Sequence, residues 1–260
     1  MSGTDPDREF WARQTSSLHR REDEGFFRAK AQEHAALMSP EDLTGGCVDL
    51  GCGAGELLLH FSRLVPVTTA IDYSDSMLKA ARRRMGASHV ELINRAIFSY
   101  LPDSRYRVWT SCQAINQYLD PAGINRFLDM FAANPSARTL YLFDCIDPLR
   151  YRLKDFGIGY GGGAGTTSTM GTQRGWRQAR RTVRRVAAAV HLATGFYARP
   201  AQKLSSAGMG YGYLPMFWLQ SGRSRNLEVE LASSRFYEYR YHTIIRKEVV
   251  DAEARSRAVP

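Results

Sequence analysis

Only four of the 260 residues are cysteine, and no two of them form a CxxC pair. A disulfide-stapled secreted fold and a thiolate zinc site both need more thiols at closer spacing. Cys47, Cys52, Cys112 and Cys145 stand in or beside runs that read as core strands, which fits reduced, buried thiols and implies no metal. Uninterrupted apolar runs of 18 residues are missing too, which excludes a membrane-spanning helix. The opening Ser2-Gly3-Thr4-Asp5-Pro6-Asp7 lacks the basic-then-apolar pattern of a secretory leader, so the expected location is cytoplasmic. Apolar residues as a class are not scarce: at 44%, with 11% aromatics, they can fill the core of one α/β domain carrying an insertion. Acid is scarce in one stretch. Residues 148–215 hold eleven basic residues against one acidic, Asp155, a local +10 in a chain whose net charge is +9.

Against these absences stands Val48-Asp49-Leu50-Gly51-Cys52-Gly53-Ala54-Gly55-Glu56, a short apolar strand running into a glycine turn and then a helical run from Leu57. Glycines at 51, 53 and 55 suit a backbone that must adopt positive φ or approach a ligand closely, and Glu56 is expected to open a helix whose amides face the site. The spacing is GxGxG. Glu56 occupies the place of the third glycine of a dinucleotide-binding loop, which counts against NAD. A second strand, Val67-Thr68-Thr69-Ala70-Ile71, ends in Asp72, a carboxylate placed to accept the two hydroxyls of a ribose, and Tyr73-Ser74-Asp75-Ser76-Met77-Leu78 follow.

In these two motifs the chain resembles the class I S-adenosylmethionine-dependent methyltransferases. The resemblance implies S-adenosyl-L-methionine as cofactor. Asp49 with Gly51, Gly53 and Gly55 would hold its methionine end, Asp72 the ribose, and Tyr73 with Met77 would cover the adenine. After Val90-Glu91-Leu92-Ile93 the family often has an Asp that reads the adenine amino group; here Asn94-Arg95-Ala96-Ile97 offers no carboxylate, so the backbone of Ala96 and Ile97 is the expected contact. Cys112-Gln113-Ala114-Ile115-Asn116-Gln117-Tyr118 takes the place of the fourth motif without the Asp/Asn-Pro-Pro-aromatic run or the Pro-Cys nucleophile of base methyltransferases. Gln113 remains as a polar contact to the cofactor and Asn116 as one to the acceptor.

Strand and helix alternate. Helices are predicted at 7–18, 22–38, 55–64, 75–84 and 121–133, and strands at 47–50, 67–71, 89–93, 106–111 and 139–145. Leu227–Leu231 and Tyr239–Arg246 alternate and read as a closing hairpin. The predicted fold is α/β: a doubly wound, mostly parallel seven-stranded sheet with a C-terminal antiparallel hairpin, the last strand lying beside the fifth as in the family. Residues 1–40 are read as an N-terminal helical cover, 41–147 with 216–250 as the core, and 148–215 as a basic, Gly/Arg-rich insertion or lid.

Ligands sit over the carboxyl ends of parallel strands, so chemistry is sought there. Asp144 and Asp147 follow the fifth strand; Asp147 is a candidate base, its alternative being a turn cap before Pro148. The start of the last strand returns to the same mouth with Tyr237 and Tyr239, candidate acceptor contacts, and with His242 deeper in the strand. His19, in the cover beside Phe10, Trp11, Phe26 and Phe27, is a further candidate base.

The insertion opens on the glycine-rich stretch 157–165 and continues into a predicted helix over 173–193, whose Trp176, Ala179, Val183, Val186 and Val190 share one arc while Arg174, Arg177, Arg180, Arg181, Arg184 and Arg185 share another. This basic amphipathic helix fits a lid that recognises an anionic acceptor through Arg177 and Arg181, peripheral contact with an anionic membrane, or phosphate-rich RNA. Tyr211, in Gly210-Tyr211-Gly212-Tyr213, is a candidate stacking surface for a sugar or planar ring. The function these features predict is methyl transfer to an oxygen of a small-molecule, sugar or glycan acceptor. An RNA methyltransferase using the arginine helix is the alternative within the fold, and a cofactor-binding, non-catalytic scaffold the alternative outside the enzymes.

Overall fold

A computed structural model describes residues 10, 13–16, 23–101, 104–155, 200–204 and 210–248. Seven strands form one sheet: β1 (Cys47–Leu50), β2 (Val67–Asp72), β3 (Glu91–Asn94), β4 (Val108–Cys112), β5 (Thr139–Ile146), β8 (Leu227–Ser233) and β9 (Arg240–Lys247). The order is β3-β2-β1-β4-β5-β9-β8, parallel through β5 and antiparallel over the last two. The order reverses between β1 and β4, which places a crevice above their carboxyl ends. Two short strands, β6 (Ala201–Lys203) and β7 (Tyr211–Tyr213), pair separately.

Helices cover both faces. On one lie α1 (Glu24–Ala36) and the single turn α2 (Leu58–Phe61), which bury Ala31, Leu58 and Phe61 against Val67, Val108, Tyr141 and Phe143. On the other lie α6 (Pro121–Ala133) and α8 (Pro215–Arg223), which bury Phe127, Phe131, Phe217 and Trp218 against Trp109, Leu140, Leu142 and Ile245. All eight residues of β5 are buried, as expected of a central strand covered on both sides. Sequence signals explain several ends: Asp23, Ser74 and Asp120 cap α1, α3 (Asp75–Met85) and α6 by accepting from Phe26, Met77 and Gly123, and Pro121 opens α6 where a missing N–H costs nothing.

Three differences from the sequence reading affect the site. The helix expected over 55–64 is only the turn α2, because Gly55 sits at φ +78° and the chain tightens again when Leu64 N–H bonds Phe61 O at 2.9 Å. The strand expected to begin at Tyr239 begins at Arg240, leaving Tyr237 and Tyr239 in the preceding turn. Regular structure also marks both ends of the insertion, as α7 (Pro148–Asp155) and the β6–β7 hairpin. Single turns α4 (Ile97–Tyr100) and α5 (Ile115–Tyr118) follow β3 and β4. The helix predicted at 173–193 lies outside the described residues, as does most of that at 7–18.

Candidate active site

The glycine turn separates three needs that the sequence presents as one. Gly51, at φ +82°, lies where a Cβ would stand 2.3 Å from Ala114 Cβ, so it brings the loop against the end of β4. Gly55, at φ +78°, would meet Ala81 of α3 at 3.2 Å. Gly53, at φ +57°, has nothing among the described residues within 4 Å of its missing Cβ, unlike the other two. Asp72 ties the loop to β2: Oδ2 accepts from Gly53 N–H at 2.9 Å and Oδ1 from Ser74 N–H at 2.8 Å. Burial raises its pKa, and those amides work against the rise. Asp49 accepts from the Thr110 hydroxyl at 3.0 Å, and burial pushes its carboxyl up to about 7. A cation delivered to that carboxylate would be strongly held.

Around this centre, Tyr73 is exposed at 36%, while Met77 is buried with Ala54 and Ala80. Ala96 is exposed at the start of α4 and Ile97 is half-buried beside it. Asn94 donates to Tyr73 O at 3.3 Å, so the segment after β3 is fastened to the segment after β2.

The opposite half of the mouth holds a buried polar cluster. Asp144 lies at φ +58° in a bulge of β5 opposite β9. Its Oδ2 pairs with the Lys30 ammonium at 2.5 Å and accepts from Gln113 Nε2 at 3.2 Å; its backbone O accepts from Arg240 Nη1 at 3.1 Å. Lys30, Asp144, Arg240, His34 and His242 are all buried. Burial works against the Asp144 charge, yet Lys30, with Arg240 beside it, holds its carboxyl well below the usual carboxylate range. It is therefore no base near neutral pH. Burial likewise opposes the Lys30 charge, and Asp144 reverses the balance and raises its pKa.

His34 stacks on Phe143 with centroids 4.0 Å apart, neither nitrogen meets a hydrogen-bond partner among the described residues, and burial lowers its pKa well below the ordinary value, so the ring is neutral. Glu33, His34 and His242 each bring a ligand atom within 4.8 Å of the others. The tautomer of His242 opposes a metal there. Asp144 N–H donates to Nδ1, which leaves the ring proton on Nε2, the nitrogen 3.5 Å from Glu33 Oε1.

Other candidate residues have structural occupations. Asp147 caps α7: Oδ1 accepts from Leu149 and Arg150 N–H at 2.9 and 3.1 Å, and Oδ2 lies 3.5 Å from Arg150 Nε. Asn116 is fully buried and donates to Phe143 O at 2.9 Å, fastening α5 to β5. Tyr211 is half-buried, with the Lys203 ammonium 5.8 Å from its ring centre. Tyr237 and Tyr239 are half-buried, 5.6 Å apart, with the Arg240 guanidinium over both rings; Phe26 of α1 meets Tyr237 at 6.1 Å and Phe236 at 5.1 Å. Thus α1 packs against the turn that precedes β9. His19, Arg177 and Arg181 lie outside the described residues.

Lys30, Glu33, His34 and Arg240 were not anticipated as site residues. The available signal was the i, i+3, i+4 spacing that puts Lys30, Glu33 and His34 on one face of α1, but only the tertiary fold shows that face turned inward.

Comparison with known proteins agrees with this geometry. A family model described as a methyltransferase domain matches residues 47–134. No curated protein matches in sequence. Among solved structures, a magnesium protoporphyrin IX methyltransferase from Synechocystis PCC 6803 with bound SAM shares 10% identity over 95% of this chain and 99% of its own, with a TM-score of 0.53. A glycopeptide N-methyltransferase complexed with SAM shares 12% over 85% and 86%, with a TM-score of 0.53. An S-adenosylmethionine-dependent methyltransferase from Clostridium acetobutylicum ATCC 824 shares 11% over 89% and 93%, with a TM-score of 0.50. At such identities the likeness is one of fold. Residues 47–134, which hold the glycine turn and Asp72, thus match a methyltransferase domain, and the seven-stranded, mostly parallel sheet has the Rossmann-like methyltransferase fold of these solved structures.

Proposed function

We propose that the chain binds S-adenosyl-L-methionine between the glycine turn and Asp72 and transfers its methyl group to an oxygen of a small-molecule, sugar or glycan acceptor. The observation that carries this reading is the bond from Gly53 N–H to Asp72 Oδ2 at 2.9 Å, where no described residue beyond the chain neighbours lies within 4 Å of the missing Gly53 Cβ. It joins the loop that would hold the methionine end to the carboxylate that would hold the ribose. In this reading Asp49 meets the cofactor's ammonium, Tyr73 and the backbone of Ala96 and Ile97 border the adenine, and Gln113 closes the methionine end.

Methyl transfer is an in-line displacement at a sulfonium carbon, in which alignment supplies much of the rate. The residues at the mouth suit that division of labour: Asp144 is held charged, Asp147 is occupied as a cap and His242 is buried, so orientation outweighs proton removal. The acceptor side is assigned to the cover, residues 1–40, and to the insertion, residues 148–215, with Phe26, Tyr237 and Tyr239 forming an aromatic rim. The names of the structural neighbours cover acceptors as different as a porphyrin and a glycopeptide, which supports placing acceptor choice in these additions and not in the shared core.

The test is calorimetric titration with S-adenosylhomocysteine, followed by incubation with methyl-labelled cofactor and an acceptor pool of sugars, glycans, phenols and RNA. The expected result is saturable binding and label in a non-nucleic-acid product. Binding without any turnover across the pool would overturn the enzyme reading, and label in RNA the acceptor class.

A further inference from the structure

Among the described residues only Gln113, Asp144 and Asn226 adopt positive φ without being glycine, at 57°, 58° and 53°. Two of these three meet at one hydrogen bond, from Gln113 Nε2 to Asp144 Oδ2 at 3.2 Å. The same Oδ2 pairs with the Lys30 ammonium at 2.5 Å, and both side chains of the pair are almost wholly buried. Strained backbone at two contacting residues persists only where the surroundings over-determine it, and a buried ion pair adds little stability over an apolar pair of equal volume. Fastening α1 to the sheet therefore does not by itself account for the pair.

What the pair does fix is an amide. A glutamine side chain carries a donor end and an acceptor end, and its rotamer decides which end a ligand meets. Because Asp144 stays ionised beside Lys30 it accepts only from the NH2 end of Gln113, which turns Oε1 away from the carboxylate. Gln113 directly precedes Ala114, the residue against which Gly51 packs, so Gln113 is one residue from the contact between the end of β4 and the glycine turn.

Resting on the cofactor reading above, we propose that Lys30 and Asp144 are positioning residues that hold the Gln113 amide with Oε1 toward the methionine end of the cofactor, where it accepts a hydrogen bond from the α-ammonium. The polarity is specific: a reversed amide would place a donor against a cation. The three residues join the N-terminal cover to the cofactor through two polar contacts, Lys30 to Asp144 and Asp144 to Gln113.

The experiment compares two probes, S-adenosylhomocysteine, which carries the ammonium, and 5′-methylthioadenosine, which lacks the amino-acid end. Affinities are measured for the wild type, Gln113→Ala, the double variant Lys30→Met/Asp144→Leu, which removes both charges of the pair, and the triple variant. Gln113→Ala is expected to weaken S-adenosylhomocysteine about tenfold and methylthioadenosine by less than about twofold. The double variant is expected to show the same selective loss, and adding Gln113→Ala to it to cost nothing further. Equal loss of both probes in Gln113→Ala, a measurement that moves no buried charge, would overturn the inference. So would a folded double variant that binds both probes as the wild type does. Failure of the wild type to bind either probe would remove the cofactor reading itself, whereas binding of both without the selective pattern removes only the positioning role.

Discussion

The two halves of the mouth are built on different principles. Over β1 and β2 the site is made of backbone: three glycines at positive φ and a carboxylate, Asp72, that accepts two amide hydrogens. Over β4, β5 and β9 it is made of side chains brought from far apart in sequence, with Lys30 meeting Asp144, Asp144 meeting Gln113, and His242 facing Glu33. The first half is neighbour-determined and leaves no room for a side chain at Gly51 and little at Gly55. The second half depends on one helix docking in one orientation. The contrast teaches that the glycine motif and the charged cluster fail in different ways when altered, one sterically and the other electrostatically.

The sharpest break of the comparison comes from Lys30→Met alone. It leaves Asp144 charged in the core without its ammonium partner, Arg240 being the buried cation that remains beside it, and the expected loss is about 3 kcal/mol in denaturant unfolding, with much of it recovered when Asp144→Leu is added. Equal instability of the single and double variants would show that the pair acts through packing. On the other half, Gly51→Ala brings a Cβ to 2.3 Å from Ala114 Cβ and is expected to cost about 3 kcal/mol through overpacking and left-handed strain together. Gly53→Ala, with no described residue beyond the chain neighbours within 4 Å of the missing Cβ, is expected to cost about 1 kcal/mol of stability while weakening S-adenosylhomocysteine by about tenfold or more. If Gly53→Ala binds the cofactor normally, the ligand does not pass over that face.

The same division governs what the sequence reveals. The glycine turn, Asp72, the order of elements and the antiparallel ending are all readable, because each is encoded within a few residues or in the alternation of strand and helix. The cluster is unreadable locally. Lys30, Glu33 and His34 look like an ordinary solvated face until α1 turns them onto β5 and β9, and Asp144 gives no hint of the β5 bulge that aims its carboxylate at Lys30. Met77 follows the motif in position yet packs inside with Ala54 and Ala80, a placement set by helix phase in α3. Tyr237 and Tyr239 do not obey strand alternation because the chain is still turning before Arg240.

A pH titration sharpens the contrast without mutation. In the free protein burial pushes the Asp49 carboxyl up to about 7, against about 3.9 in an unfolded chain. Between those values the native state holds a proton that the unfolded state has released. The Asp49 contribution to stability therefore falls as pH rises from about 4 to about 7 and is level above that. Cofactor affinity follows the opposite sign, since an ammonium needs the carboxylate ionised: the Kd for S-adenosylhomocysteine is expected to tighten as pH rises through about 7 and then to level off. Asp49→Asn should bind weakly at every pH and lose the dependence. A flat profile in the wild type would mean that Asp49 does not meet the ammonium.

The smallest expected effect concerns Asp147, where two roles make opposite forecasts. As a cap, Asp147 uses Oδ1 to accept from Leu149 and Arg150 N–H and keeps Oδ2 near Arg150 Nε. Serine can accept the same amide bonds, so Asp147→Ser should shift unfolding by less than about 1 kcal/mol and change turnover by less than about twofold. A general base contributes about 10²–10⁴-fold, and serine cannot supply it. Turnover measured on the acceptor found in the pool screen separates the two by orders of magnitude. A hundredfold loss with an intact fold would move proton removal onto β5 and make the side-chain half of the mouth the chemical half. Near-wild-type turnover would leave that half with orientation alone, as the Lys30–Asp144–Gln113 geometry implies.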